Sequence, residues 1–328
     1  MSVGALDQAH RAKLARNSLW VCFLLLGTVS MGWVPRIPEI KDAIGLSNGA
    51  FGFVLLGSTF GSITGAQLAG RFMHMYGSQR TIFVGVFIMP AGLAGMGLAT
   101  NALTLFLTLY TMGFGYALID MCYNFQGTVV EKILGRRYMS SFHAMWSTGA
   151  FLTTVVGGLI SRHVSPRANL IAIAVVSIIA YLIAAYYLLP RTIDGHKGDE
   201  EHESKIPLFG KGVMPLWLLG VGLLSSLVGE GAASDWGAIL LRDEMGYEKG
   251  VYASAFASFA LAMIVSRFLG DRALDYFGPA RLVQLGGYLG GSIWGIAMLI
   301  AIPMSDTYPI PALVIVNIGF IAAGLGIG

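Results

Sequence analysis

Long apolar runs separated by short polar segments make up most of the chain. A helix needs about 20 mainly apolar residues to cross the hydrocarbon core of a bilayer. Helices are expected because lipid offers backbone groups no hydrogen-bond partner, and the alternating polarity of barrel strands is missing. The pattern predicts an all-α membrane protein with ten spans: 18–35, 50–72, 81–99, 103–124, 140–160, 170–189, 213–241, 251–269, 282–302 and 309–328.

Polar segments between these runs repeat at an offset of 201 residues. Segment 41–49 matches 242–250, and segment 71–80 matches 272–281, with basic, acidic and glycine positions in register. Duplicated halves of a membrane protein keep both span order and loop chemistry, so the repeat predicts two parallel bundles. Six spans precede the repeat and only four follow it. We therefore expect a tenth helix that is cut short at Gly328 and a truncated second bundle.

The predicted domains are a six-helix bundle at 1–190, a cytoplasmic linker at 191–212, and an incomplete bundle of about four helices at 213–328. The linker is rich in Asp, Glu, His, Lys and Gly, a composition that cannot bury a core. A metal site built from His196 and His202 is the alternative. A solvated linker is the better interpretation, because the segment holds these residues in no fixed geometry.

Composition supports the membrane assignment and limits the partners. With 55% hydrophobic residues, 12% charged residues and a mean hydropathy of +0.69, the chain exceeds what a soluble domain could bury. Of the 21 Lys and Arg residues, fifteen fall on one side of the ten predicted spans. The positive-inside rule then places the N-terminus on the cytoplasmic side of a membrane that the chain crosses several times.

The remaining composition excludes several classes of site. Cys22 and Cys122 both lie inside apolar runs, so neither a disulfide framework nor a metal site is expected. The net charge of +3 comes from basic loops and does not predict a nucleic-acid partner. We expect a monomer that contacts lipid and a small-molecule substrate, with no cofactor other than a proton gradient.

The repeated loops resemble a known signature. They are similar to the loop signature of the major facilitator superfamily, carried here by Arg71, His74, Gly77 and Arg80 and again by Arg272, Asp275, Gly278 and Arg281. The resemblance implies two six-helix bundles, with an Asp that caps a helix end and pairs with basic residues to close a cytoplasmic gate. Asp275 keeps this acid in the second copy, whereas His74 replaces it in the first.

The fourth run resembles one branch of that superfamily. Gly113 and Gly115 followed by Asp120 and Asn124 are similar to the acid-x-x-x-Asn element of fucose permeases. Segments 140–143 and 230–236 are similar to stretches of uncharacterised bacterial members. In the first span, Val34 stands where fucose permeases carry an acid, and segment 149–158 lacks the Gly-Pro core of many antiporters. The resemblance implies a secondary active transporter that moves a small polar solute such as a sugar with protons.

Three acids lie well inside apolar runs: Asp120, Glu230 and Asp235. Charged groups at membrane depth are costly and usually face a wet cavity or a partner. Asp120 and Asn124 are four residues apart and share one helix face, which suits a substrate hydroxyl. A carboxyl that loses water favours its protonated form, so we expect Asp120 to couple proton movement to binding. The alternative is a structural hydrogen bond to a neighbouring helix.

Further site residues follow from position. Glu230 is expected in the cavity, and Asp235, about 140° away on an ideal helix, at the outer mouth, where a gating pair with Arg36 is predicted. His143 and Trp146 form one stripe of the fifth run. An aromatic ring there could stack on a sugar, and a His could relay protons. A packing role between helices is the alternative.

Functions other than transport of a solute with protons fit the sequence less well. No Ser-His-Asp grouping, metal-ligand spacing or phosphate loop is present, so an enzyme is not expected. A proton-driven exporter of small molecules is one alternative. A membrane receptor or sensor that no longer transports is another, favoured by His74 and by the missing spans.

Overall fold

The computed structural model describes residues 3–194 and 213–328. Within these ranges nearly all residues are helical and no β-strand occurs, which confirms the predicted all-α class. Seven helical segments are long and apolar enough to cross a membrane. The membrane fold is therefore confirmed, while the number of ten spans stays a prediction.

The first part of the chain, residues 3–194, contains seven helices. Several begin at a side-chain cap: the Ser47 hydroxyl accepts from the Ala50 N–H at 3.2 Å, and Asn101 forms a reciprocal box with Thr104. The helices are α1 (Val3–Met31), α2 (Ile37–Ile44), α3 (Asn48–Tyr76), α4 (Ser78–Met96), α5 (Ala102–Leu134), α6 (Met139–Ile160) and α7 (Pro166–Tyr186).

Glycine allows α3 and α5 to pack closely. Gly57, Gly61 and Gly65 recur every fourth residue on one face of α3 and lie against the α5 backbone. A Cβ on Gly61 would be only 2.1 Å from the Tyr110 carbonyl oxygen, so no larger side chain fits without movement. These three glycines therefore set a close contact between α3 and α5.

The second part, residues 213–328, contains helices interrupted by wide π turns. The seventh predicted span is broken in this way directly after Glu230, which matters because π turns are frequent at functional sites. The elements are α8 (Met214–Gly231), a π turn (Ala232–Trp236), α9 (Gly237–Ile239), a π turn (Leu240–Glu244), α10 (Ser254–Phe277), α11 (Pro279–Leu285), a π turn (Gly286–Gly290), α12 (Gly291–Met304) and α13 (Pro309–Ile327).

Helix packing divides the structure in the same way. In the first part α5 packs against α3 and α4, and α1 packs against α6; in the second part α13 packs against α10 and α12. The main helix contact between the two parts joins α6 to α10. We call the end at which α1 begins the inner side and the opposite end the outer side. That the inner side faces the cytoplasm stays a prediction.

The 201-residue repeat is visible in the backbone. Gly45 ends α2 at φ 74°, and Gly246 has φ 71° at the corresponding place. Gly77 (φ 84°, ψ 159°) and Gly278 (φ 74°, ψ 158°) form matching junctions after α3 and α10. Residues with a Cβ rarely adopt positive φ, so both copies depend on glycine here.

Most of the predicted linker, residues 195–212 with His196 and His202, lies outside the described residues. Its first four residues differ from the prediction of a solvated segment. Residues 191–194 form a turn in which the Asp194 N–H donates to the Pro190 carbonyl at 3.0 Å, and Asp194 is fully buried. The packed structure therefore continues to at least residue 194.

Candidate functional site

Two helices of the first part bring three predicted site residues together. The Asn124 side chain on α5 donates from Nδ2 to the Asp120 carbonyl at 2.9 Å, and its Oδ1 lies 3.3 Å from Nε2 of His143 on α6. Since Nδ2 faces a carbonyl, Oδ1 is the atom that faces the histidine, and a hydrogen bond there requires the Nε2–H tautomer. His143 Nδ1 then remains a hydrogen-bond acceptor.

Arg267 on α10 reaches this cluster from the second part of the chain. Its Nη1 donates to the His143 carbonyl at 3.2 Å and to the Ser147 hydroxyl, and its Cζ lies 5.4 Å from the ring centre of Trp146. These contacts combine hydrogen bonds with a cation–π interaction. No carboxylate oxygen lies within 4.0 Å of the guanidinium among the described residues. Arg267 therefore bridges both parts without a close counter-ion.

The acids of the cluster interact with Arg267 over a longer range. Glu230, at the end of α8, is within electrostatic range of Arg267. Tyr116 lies within range of Asp120, Glu230 and Arg267. Throughout the described ranges, no basic nitrogen lies within 4.0 Å of the Asp120 carboxylate. Two acids and one base thus share one region inside predicted spans, and in the described part of the chain the base donates its hydrogen bonds to neutral acceptors.

Trp146 contributes an unused hydrogen-bond donor to the same region. Its side chain is buried, and the indole Nε1 interacts with the Tyr116 side chain but meets no acceptor with full hydrogen-bond geometry among the described residues. Buried polar groups without a partner are rare, and each needs an explanation such as a water or a ligand. The N–H of Trp146 is therefore available to a bound molecule.

The predicted pair between Arg36 and Asp235 is wrong. Arg36 is fully buried and its guanidinium is already used, with Nη1 2.8 Å from Glu39 Oε1 and Nε 3.1 Å from Asn169 Oδ1. Further donations go to two backbone carbonyls of the α6–α7 connection. Among the described residues, the Asp235 carboxylate accepts a hydrogen bond only from the Ser234 hydroxyl, at 3.3 Å. It lies in a π turn, so the angle predicted from ideal α-helix geometry does not apply to it.

Ion pairs join the two parts on the outer side. Lys41 Nζ lies 3.1 Å from Asp243 Oδ2, and Arg242 Nη1 lies 2.6 Å from Asp42 Oδ2. We call these two contacts the crossed pairs, because each base meets the acid of the other repeat copy. Two more bridges flank them: Lys249 to Glu39 at 3.2 Å and Arg162 to Glu248 at 2.8 Å.

Aromatic packing and charge add to the crossed pairs. We call the crossed pairs and the contacts around them the outer seal. The Trp236 ring meets Phe51 edge-on at 5.7 Å, which adds an apolar layer. Burial raises the pKa of Asp243, but hydrogen bonds from Arg242 and Lys41 outweigh it and hold the pKa below its ordinary value of 3.8. Asp243 is therefore charged at neutral pH, and its ion pairs hold the two parts together on this side.

Sequence comparison assigns the fold to a family. Residues 19–328 match the profile of the Major Facilitator Superfamily. The chain belongs to this superfamily. It is a membrane transporter. It is 29% identical over 304 residues to the uncharacterised transporter y4wD of Sinorhizobium fredii, and the match covers 93% of this chain and 77% of the relative. It is also 26% identical to the membrane protein MosC of Rhizobium meliloti, covering 85% and 67%.

Solved superfamily structures have the same fold. A mutant of the nucleoside transporter NupG superposes with a TM-score of 0.74 at 14% identity, covering 95% of this chain and 80% of that one. The transporter FucP in its outward conformation gives a TM-score of 0.60 at 15% identity, covering 97% and 89%. At these identities the likeness shows the fold alone.

The first superfamily signature loop is held by an acid that sequence reasoning missed. Arg71, His74 and Arg80 are exposed, and their side chains make no hydrogen bond to described residues. Instead Asp194 Oδ2 accepts from the backbone N–H of Ser78 at 3.1 Å and from its hydroxyl at 2.8 Å. A carboxylate therefore caps α4 although the loop itself has lost its acid, and it comes from the segment after α7.

The second signature loop makes fewer contacts. Arg272, Asp275 and Arg281 are exposed, and in the part of the chain that the structure describes they form neither ion pairs nor side-chain hydrogen bonds. The capping contact expected of Asp275 is not formed. A gating role for either loop stays a prediction.

Arg267 is a further site residue that the sequence prediction did not include. It is one of the fifteen basic residues assigned to the cytoplasmic side, where it was taken as a loop residue. It lies inside the apolar run 251–269, and a lone cation within such a run was the signal that could have found it. Without it, fourteen basic residues instead of fifteen fall on the predicted inner side. The excess of basic residues therefore stays on the predicted inner side.

Proposed function

We propose that the chain is a proton-coupled symporter that moves a small, hydroxyl-rich solute such as a sugar across the bacterial inner membrane by alternating access. The observation that carries this proposal is the cluster of Asp120, Asn124 and His143 beside Arg267, at the place where α6 meets α10. A site between two bundles is where rocking of one against the other changes access.

The chemistry of the cluster suits hydroxyl groups. A sugar hydroxyl both donates and accepts, and the cluster supplies Asp120 as acceptor and the unpartnered Trp146 N–H as donor. The indole face also offers an apolar surface for a sugar ring. That the structural neighbour NupG is a nucleoside transporter is in keeping with a substrate that carries a sugar ring.

Proton coupling is assigned to Asp120. Glu230 is the acid within electrostatic range of Arg267, whereas Asp120 has no base within 4.0 Å among the described residues. A proton on Asp120 removes a charge that would otherwise remain at membrane depth. Loading substrate and proton together therefore favours movement of the bundles, whereas an ionised Asp120 without a partner opposes it.

Alternating access requires a closed and an open outer side. The outer seal forms the closed state, and we assign Arg36 to it as a structural anchor of the α6–α7 connection. Asp235 and Trp236 lie in the π turn that directly follows α8, the helix that carries Glu230, so movement at the seal is passed along the chain to the cluster. On the inner side, the two signature loops are proposed to gate access.

The test uses purified protein in proteoliposomes with a pH-sensitive dye inside. We expect uptake of at least one neutral sugar from a panel, accompanied by proton entry, when a pH gradient is imposed. Asp120→Asn should abolish proton entry while sugar counterflow persists. Asp306→Asn makes the same chemical change at an exposed outer position and should behave like the wild type. Normal coupling in Asp120→Asn would refute the role of that residue, and uptake that no gradient drives would refute symport.

A further inference from the structure

A groove on the inner side of the first bundle has a polar end and an apolar end. The polar end, of about 590 Å³, is lined by residues that include Asp7, His10 and Arg11 of α1 and Tyr186 of α7. The apolar end, of about 400 Å³, continues along the same two helices. Both ends are lined by Leu14 and Tyr187, so they form one continuous depression on the outside of the bundle.

The apolar end matches a hydrocarbon chain. Leu14, Val21 and Ile183 are 39%, 43% and 63% exposed in a helix bundle whose surface faces lipid. From Leu14 to Val21, α1 rises by about 10 Å, so this end extends from the polar end toward the bilayer centre. The Ser18 hydroxyl, which also lines this end, donates to the Ala184 carbonyl. An acyl chain therefore fits this end of the groove.

The polar end presents two opposite charges that hold each other weakly. Arg11 Nε lies 3.6 Å from Asp7 Oδ2, and the two side chains are 52% and 68% exposed. Exposed pairs one helical turn apart contribute little, so both groups can be drawn to another partner. The Gln79 amide nearby is already used, since its Nε2 donates to carbonyls at the end of α7. The charges open to a ligand here are those of Asp7 and Arg11.

We propose that this groove binds phosphatidylethanolamine from the leaflet on the inner side. Its phosphate would pair with Arg11, its primary ammonium would donate to Asp7, and its acyl chain would lie along the apolar end. The same geometry disfavours two common alternatives. The quaternary ammonium of phosphatidylcholine has no N–H to donate, and phosphatidylglycerol has no cation to offer Asp7. This site lies outside the transport cluster and does not depend on its function.

Native mass spectrometry of the purified full chain can test this preference. The protein is exchanged into equal amounts of phosphatidylethanolamine, phosphatidylcholine and phosphatidylglycerol with identical acyl chains, and bound lipid is counted. We expect the wild type to retain phosphatidylethanolamine about three- to fivefold over either competitor, the range that one exposed ion contact supports. Asp7→Asn should remove the preference, whereas Arg11→Gln should lower the retention of all three lipids, because each of them carries the phosphate. Lys13→Gln, an exposed base on α1 outside the groove, should keep it.

Three results would overturn the proposal. One is equal retention of the three lipids by the wild type. Another is a preference that survives in Asp7→Asn, an unchanged total retention in Arg11→Gln, or a preference that Lys13→Gln loses as well. The third is full displacement of the lipid by soluble glycerophosphoethanolamine, since the apolar end would then contribute nothing. Circular dichroism of each variant shows that a lost preference is not lost helix.

Discussion

Neutralising Asp243 should open the outer seal. The Asp243 carboxylate contacts both Lys41 and Arg242, and in the Lys41 pair the side chains are only 8% and 24% exposed. Exposed pairs contribute about 0–1 kcal/mol and broken buried pairs cost about 3–5 kcal/mol. This half-buried pair lies between these limits, so Asp243→Asn should shift the closed state by about 1–2 kcal/mol, or about five- to thirtyfold in population.

The shift can be read from the reactivity of a single cysteine. A Cβ at Gly52 would lie 3.6 Å from Trp236, inside the seal, so Gly52→Cys should react with a membrane-impermeant maleimide only when the seal opens. Cys22 and Cys122 are buried and can be replaced to give a clean background. Asp243→Asn should raise the labelling rate by the factor above.

Two further variants make this experiment decisive. Glu248→Gln removes a bridge whose side chains are 57% and 81% exposed, and it should change the rate by about twofold at most. Lys41→Asp combined with Asp243→Lys restores opposite charges and should return the rate most of the way to that of the parent. Equal rates in Asp243→Asn and Glu248→Gln would show that the crossed pairs do not hold the seal.

Three shorter predictions concern packing, pH and capping. Gly61→Ala should lower the free energy of unfolding, measured in a thermal melt, by about 1–3 kcal/mol, because the new Cβ would meet the Tyr110 carbonyl. The control is Gly70→Ala on the same helix: its Cβ would meet nothing within 4 Å, so the change should be neutral or stabilising. The pKa of Asp243 is held below 3.8, so opening of the seal should not change from about pH 7 to about pH 5 and should increase only as pH falls through that lowered pKa. The measure is the labelling rate at Gly52→Cys divided by that of an exposed reference cysteine, which cancels the loss of thiolate at low pH; a rise of this ratio already near pH 6 would contradict the assignment. Asp194→Asn should speed hydrogen exchange at the Ser78 amide about tenfold, because it weakens the charged cap of α4. Asp275→Asn, at an exposed position, should leave exchange at the Ser78 amide unchanged.

The fold could be predicted because its determinants are local in sequence. Apolar runs of spanning length require helices in lipid, and the glycines of α3 recur at a spacing that places them on one helix face. The backbone repeat at Gly77 and Gly278 was likewise visible as matching glycines. Each of these signals depends on neighbouring residues and a known period, so no tertiary information is needed.

The site could be predicted only in part, because its partners are distant in sequence. Asp120 and Asn124 share a helix face by spacing alone, but nothing local shows that Arg267 crosses to α6. The pairing of Arg36 failed for the same reason, since Asn169 and two loop carbonyls compete for its donors. Position 194 could not be recognised as the α4 cap while the segment after α7 was interpreted as solvated linker.

The crossed pairs have the form of a contact between identical subunits. Position 41 meets 243 and position 242 meets 42, the reciprocal relation that two copies of one chain make around a two-fold axis. A single half that carries a base followed by Asp is thus complementary to a second copy of itself. If two such halves were fused into one chain, the same two ion pairs would form between them without any new charged residue. The same dipeptide that marks the duplication therefore supplies both charges of each crossed pair.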